Sequence, residues 1–229
     1  MMEANKTDNF EDFYNLSKNL SIEINNDQLI LFKKYHKVLL DWNKKINLIS
    51  RKEKNIIEKH FLDSIVFLPE IENLILNIGF PISLLDIGSG GGFPAIPLAI
   101  MKPEWHFTLC ESVKKKADFL ICLIKELNIE KNIKIINSRV ETLQVTPPRQ
   151  KFNLITARAI AKLDILLKYS LPLLKPKGFL LSYKAKDIKD EIKSSEKIIA
   201  KNNLELKIFS KEINEVERKL VVLSNSCIF

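Results

Sequence analysis

Asp86, Gly88, Gly90 and Gly92 occupy alternate positions, and Gly91 sits among them, so four of the chain's six glycines fall within five residues. Glycine adopts backbone angles that a side chain forbids, and it lets a ligand lie against bare main chain. A short apolar run, 82–87, enters this turn, and 95–101 leaves it as a helix. Strand, glycine turn and helix open a Rossmann-like βαβ unit, an arrangement that holds nucleotide-like ligands. Glu111 ends the next apolar run, 23 residues after Gly88, where an acid can accept both hydroxyls of a ribose. A dinucleotide fingerprint requires glycine at position 93, and Phe93 stands there instead. A plain turn without a ligand needs far fewer glycines.

The pattern Asp86-x-Gly88-x-Gly90-x-Gly92 resembles the first motif of S-adenosylmethionine-dependent methyltransferases. That cofactor has no pyrophosphate to place on a helix N-terminus, so the third glycine need not fall where the dinucleotide motif puts it.

The elements that position these residues alternate. Strands are expected at 84–87, 105–111, 132–137, 152–157 and 178–183, with helices at 94–101, 114–127, 163–174 and 188–201 between or after them. Segments 204–213 and 220–223 follow with no helix between them, which predicts an antiparallel hairpin at one edge of a mostly parallel, seven-stranded sheet. Ahead of the sheet, helices are expected at 13–20, from Asn26 or Asp27 as a cap to Trp42, and from 55 to 68, the last ending before Pro69. Pro147-Pro148 marks a surface loop. The domain reading is a helical N-terminal extension, 1–79, packed on an α/β domain, 80–229.

Ligands in such sheets bind beyond the carboxyl ends of the strands. Ser138-Arg139-Val140-Glu141 follows the third strand, where an adenine ring would lie. Arg158 follows the fourth, where it can anchor a cofactor carboxylate or an incoming nucleotide. Lys184 ends the fifth, as a phosphate contact or a plain exposed lysine. Cys110 should face the core, away from Glu111. No Asn/Asp-Pro-Pro-Tyr/Phe follows the fourth strand and no Pro-Cys pair ends a strand, so exocyclic amines and covalent attack on pyrimidine C5 lose support. Guanine N7 carries a lone pair and no proton, so its methylation needs alignment and no general base. No metal set is expected.

The chain has 229 residues, a net charge of +8 and a pI near 9.2. One domain with an extension is the natural size reading. The charge favours a polyanion such as nucleic acid, although the Lys-, Asn- and Ile-rich composition with only five arginines contributes to it. Between 33 and 59, nine Lys or Arg stand against three Asp or Glu, as a solvated face or a phosphate-contacting surface. No run approaches the ~18 apolar residues of a membrane span. The first residues lack the apolar core of a signal peptide. Cys110, Cys122 and Cys227 read as buried thiols in a reducing compartment, not as disulfides or zinc ligands, in a cytoplasmic protein.

Taken in order, Trp42-Asn43, Asn47-Leu48, His60-x-x-Asp63-Ser64, the glycine motif with Phe93-Pro94-x-Ile96-Pro97, Ser138-Arg139-x-Glu141, Arg158-Ala159 and Arg218-x-Leu220-Val221 resemble the bacterial small-subunit ribosomal RNA methyltransferase G (glucose-inhibited division protein B) family. The resemblance implies a class I S-adenosylmethionine-dependent methyltransferase fold and methylation of N7 of one guanine in 16S ribosomal RNA, in the loop beside the decoding site. It implies a cofactor site at Asp86, Gly88, Gly90, Gly92, Phe93, Glu111, Val140, Glu141 and Arg158. Arg158 positions cofactor or base, and Arg139, Lys184 and Arg218 are RNA-contact candidates. His60 and Asp63 take structural roles. Expected partners are 16S ribosomal RNA or the small ribosomal subunit, with no membrane, and the chain is expected to act as a monomer. Ala95 and Ala185 depart from glycines usual in the family. A dinucleotide-dependent oxidoreductase and a non-catalytic ribosome-binding protein are the competing readings.

Overall fold

The computed structural model describes residues 9–145, 150–184 and 188–224. Its elements in chain order are α1 (Phe10–Asn19), α2 (Asn26–Asn43), a π-helical segment (Ile57–Leu62) continued by α3 (Asp63–Ile65), and α4 (Leu68–Ile75). The α/β part follows as β1 (Ser83–Ile87), α5 (Ala95–Met101), β2 (His106–Cys110), α6 (Lys114–Leu127), β3 (Ile133–Ile136), α7 (Val140–Val145) and β4 (Phe152–Arg158). It ends with α8 (Leu163–Ser170), β5 (Leu174–Lys184), α9 (Lys189–Lys201), β6 (Glu205–Ile213) and β7 (Val216–Ser224).

The seven strands form one sheet in the order β3-β2-β1-β4-β5-β7-β6, parallel except for β7, which runs antiparallel to both β5 and β6. Asn214 and Glu215, both at positive φ, turn the β6–β7 hairpin. Alternation along the strands splits the apolar residues between two faces. Leu84, Leu154, Leu181 and Val222 face the layer of α1–α6. Leu85, Ile155, Leu180 and Val221 face α8 and α9. The N-terminal helices therefore share one core with the sheet: Phe13, Phe32, Tyr35 and Phe61 belong to the same buried cluster as Leu84 and Phe179.

Two expectations about the helices are corrected. Asn25 caps α2, accepting from the Gln28 amide at 2.9 Å while the Gln28 side chain accepts from the Asn25 amide at 2.9 Å, a reciprocal capping box. Pro69 does not end a helix; it sits in the first turn of α4, where its missing N–H costs nothing. Pro147-Pro148, Ala185 and Cys227 lie outside the described residues.

Candidate active site

The glycine turn is built at the carboxyl end of β1. The amides of Gly88 and Ser89 donate to the Cys110 carbonyl at 2.7 and 3.3 Å, which hooks the turn onto β2. Gly88, Gly90 and Gly92 all have positive φ, +67°, +52° and +92°. A Cβ on Gly92 would lie 2.6 Å from the Tyr35 hydroxyl, whereas one on Gly90 would meet only the Gly88 carbonyl oxygen, at 3.8 Å. The turn is thus packed on its inner side and open at Gly90.

Glu111 is only 5% exposed, yet each of its carboxylate oxygens accepts a main-chain amide: Oε2 from Gly90 at 2.8 Å and Oε1 from Val113 at 2.7 Å. Asp86 is fully buried below the turn and accepts from the Thr156 hydroxyl at 2.7 Å. Burial pushes its carboxyl up to about 7. Its enclosed side chain sits beneath the turn, bound to Thr156 from the neighbouring strand β4. Cys110 is buried, its Sγ 3.2 Å from the Ser138 carbonyl.

The helical extension completes the inner side. The Tyr35 hydroxyl donates to the Gly91 carbonyl at 2.5 Å, and its ring stacks on Phe93 at 5.3 Å. On Phe93 also lie His60, at 5.0 Å between ring centroids, and the Arg158 guanidinium, 5.9 Å from the ring centre. Arg158 donates to the main-chain carbonyls of Lys59 and His60, and its Nη2 is 3.2 Å from His60 Nδ1. A guanidinium only donates, so Nδ1 accepts and the neutral ring carries its proton on Nε2. Burial and the nearby Arg158 charge lower the His60 pKa to about 4.

Asp63 is the second junction. Its Oδ1 accepts from Arg218 Nε at 2.6 Å, and its Oδ2 lies 3.7 Å from Arg158 Nη2. Burial pushes its carboxyl up, and the two guanidiniums oppose that. Arg158, Ala159, Ile160, Tyr183, Lys184 and Arg218 line a cavity of about 490 Å³ at the carboxyl ends of β4 and β5, with Asp63 and Glu191 on its wall. Ala159 is held at φ +55°, a left-handed conformation uncommon for residues other than glycine.

The site residues read from the sequence divide into three groups. Gly88–Gly92, Phe93, Glu111 and Arg158 converge on the turn. Val140 is buried and Glu141 exposed at the start of α7, after β3. Among the RNA-contact candidates, Arg139 is exposed, Lys184 is bound to Glu191 at 2.6 Å, and Arg218 is 5% exposed and bound to Asp63. Arg218 is therefore no open surface contact, because its guanidinium is committed to the buried junction. Tyr35 lies within the helix expected to end at Trp42, and no local signal shows that its hydroxyl reaches Gly91.

The model of the rRNA small subunit methyltransferase G family matches residues 28–221. The chain belongs to that family. A family member of Lactococcus lactis subsp. lactis is 38% identical over 192 residues, covering 83% of this chain and 79% of that protein. One of Streptococcus sanguinis is 39% identical over 203 residues, covering 88% and 81%. Among solved structures, the N-terminal domain of human METTL16 in complex with SAH aligns with a TM-score of 0.62 at 12% identity, covering 99% of both chains. An O-methyltransferase from Bacillus cereus in complex with SAH aligns at 0.61 and 14% identity, covering 94% of this chain and all of that one. These two show the fold, a class I methyltransferase architecture. Membership of the methyltransferase G family supports neither the oxidoreductase nor the non-catalytic reading.

Proposed function

We propose that this chain transfers a methyl group from S-adenosylmethionine to N7 of one guanine in 16S ribosomal RNA, in the loop beside the decoding site. Family membership supports the rRNA methyltransferase activity. The state of the acceptor cavity carries the choice of atom. Both carboxylates on its wall are bound to cations: Asp63 to Arg218, with Arg158 close by, and Glu191 to Lys184. A cavity with its acids so engaged suits an acceptor atom that has no proton to lose, and guanine N7 is one.

The residues fit the donor. Gly90 leaves bare, open backbone at the turn, and Glu111 stands at the end of β2, where the ribose would lie. Val140 and Glu141 follow β3, the position for the adenine. When bound, S-adenosylmethionine supplies an electrophilic methyl group on a sulfonium. Arg158, fixed by two main-chain carbonyls and Asp63, lies between the turn and the acceptor cavity and orients what meets there. Asp86 and Tyr35 hold the turn rigid from below. We also propose that 1–79 is an extension serving the 80–229 domain, and that the protein acts as a cytoplasmic monomer.

Borohydride and aniline cleavage of 16S RNA, followed by primer extension, tests this reading. A single stop should appear only in cells that carry the active gene. Its absence from complemented cells, with the protein expressed and folded, would overturn the proposal.

A further inference from the structure

Three basic segments are tied to the two adjacent glycines 90 and 91. The turn after α2 is held by the Asn43 side chain, whose oxygen accepts from the Leu48 and Ile49 amides at 2.9 and 3.1 Å. Its Leu48 carbonyl lies 3.6 Å from the Cβ position of Gly91. That turn and its continuation carry Lys45, Arg51 and Lys52, all exposed. On the other side, Glu111 links Gly90 to Val113, the residue before α6, and α6 opens with Lys114, Lys115 and Lys116. The end of α2 adjoins α6, with Trp42 and Phe119 5.7 Å apart between ring centroids. The third segment is bound to the same acid: Asn137 donates to the Glu111 carbonyl at 2.8 Å, and exposed Arg139 follows two residues later.

These cations are not consumed locally. Asp41 takes Lys44, Glu53 takes Lys59, and Asp118 lies 3.5 Å from Lys114. Arg51, Lys52, Lys115, Lys116 and Arg139 have no acidic partner among the described residues, and Lys45 only feels the charge of Asp41, whose carboxylate is bound to Lys44. The three lysines of α6 also sit at the positive end of the helix dipole, where acids are favoured. A local rule broken without internal compensation points to an external anion.

We propose that Lys45, Arg51, Lys52, Lys115, Lys116 and Arg139 form one phosphate-binding rim around the donor side of the site, along which the RNA strand flanking the target guanine lies. The inference rests on the rRNA reading above and adds where the polyanion runs. It is charge complementarity to a phosphodiester backbone, not base recognition, so it predicts affinity and salt dependence rather than sequence preference.

The test compares K114Q/K115Q/K116Q, a second variant R139Q, and a control, K193Q/K197Q/K201Q, which removes the same charge from the exposed face of α9. Binding of a 16S RNA fragment is titrated over a salt series. The α6 triple should lower the slope of log affinity against log salt by about two to three, R139Q by about one, and the control by much less. The KM for RNA should rise about tenfold or more in the triple, with kcat, S-adenosylmethionine affinity and melting temperature maintained. Equal losses in the control, unchanged RNA affinity in the triple, or a loss of S-adenosylmethionine affinity would each overturn the rim. If the wild type shows the rim-dependent salt slope yet methylates no guanine, the rim stands and the proposed function falls.

Discussion

Glu111 reaches across from the end of β2 to take the amide proton of Gly90 at 2.8 Å. The acid proposed to face the donor's sugar is therefore also a brace for the glycine turn. Glu111→Ala should lower S-adenosylmethionine affinity at least about tenfold, through the lost sugar contact and the unbraced Gly90 amide. Glu111→Gln keeps one acceptor oxygen and should fall between the two. Calorimetric titration with the donor decides, and wild-type affinity in Glu111→Ala would refute both roles.

Gly90 and Gly92 separate binding from folding. Alanine at 90 pays only for its left-handed backbone, ~1–2 kcal/mol, and points into open space. At 92 the same change adds a 2.6 Å clash with the buried Tyr35 hydroxyl, which overpacking series place at a further ~1–3 kcal/mol. Thermal melts should show Gly92→Ala as clearly the less stable. Gly90→Ala should melt only about 2–8 °C below wild type while binding the donor poorly.

Asp63 joins two arginines, and removing it leaves the buried Arg218 guanidinium and the partly exposed Arg158 guanidinium without their shared carboxylate. Asp63→Ala should cost ~3–5 kcal/mol in denaturant unfolding, the range for stripping one partner from a buried ion pair. Combining it with Arg218→Met should recover part of the loss, because the charge left unpaired is then removed. An additive double variant would exclude coupling between the two residues.

Asp86 and His60 impose opposite pH dependences on stability. For Asp86 the folded pKa, about 7, lies above the ordinary value of 3.8, so the folded state holds the extra proton. Its contribution is present below pH 4 and is lost as pH rises through 7. For His60 the folded pKa, about 4, lies below 6.5, so its contribution is present above pH 6.5 and is lost as pH falls toward 4. Melting curves of Asp86→Asn should lose the decline between pH 4 and 7, and the His60 ring should titrate near 4 by NMR. A His60 titration near 6.5 would contradict its enclosure beside Arg158.

Much of the sheet was legible because buried parallel strands read as mostly apolar runs, as in Leu84–Ile87, interrupted by Asp86, and Phe152–Ala157, interrupted by Asn153 and Thr156. The α6 helix was legible from its one-sided apolar stripe, and Asn128 at φ +55° ends it. The π-helical stretch was not, since Ile57, Phe61 and Ile65 are spaced as on an ordinary helix and only packing widens the turn. Pro69 was misread because the same residue suits a helix start as well as a helix end. The glycine turn and Glu111 announced a ligand site by type and spacing. Asp63 stood out only as a structural residue; its pairing with Arg218 did not show, because the two lie 155 residues apart and no local pattern reports such a distance.

The bond from Tyr35 to Gly91 makes the two ends of the architecture co-dependent. The helices ahead of the sheet cannot be exchanged for another family's substrate-recognition cap as an independent module, because the ring that seats the donor loop would leave with them. Grafts and recombinants that divide the chain between 76 and 82 should lose part of the sheet's core packing together with the brace on the glycine turn, unless Tyr35, Phe61 and Phe93 cross over together.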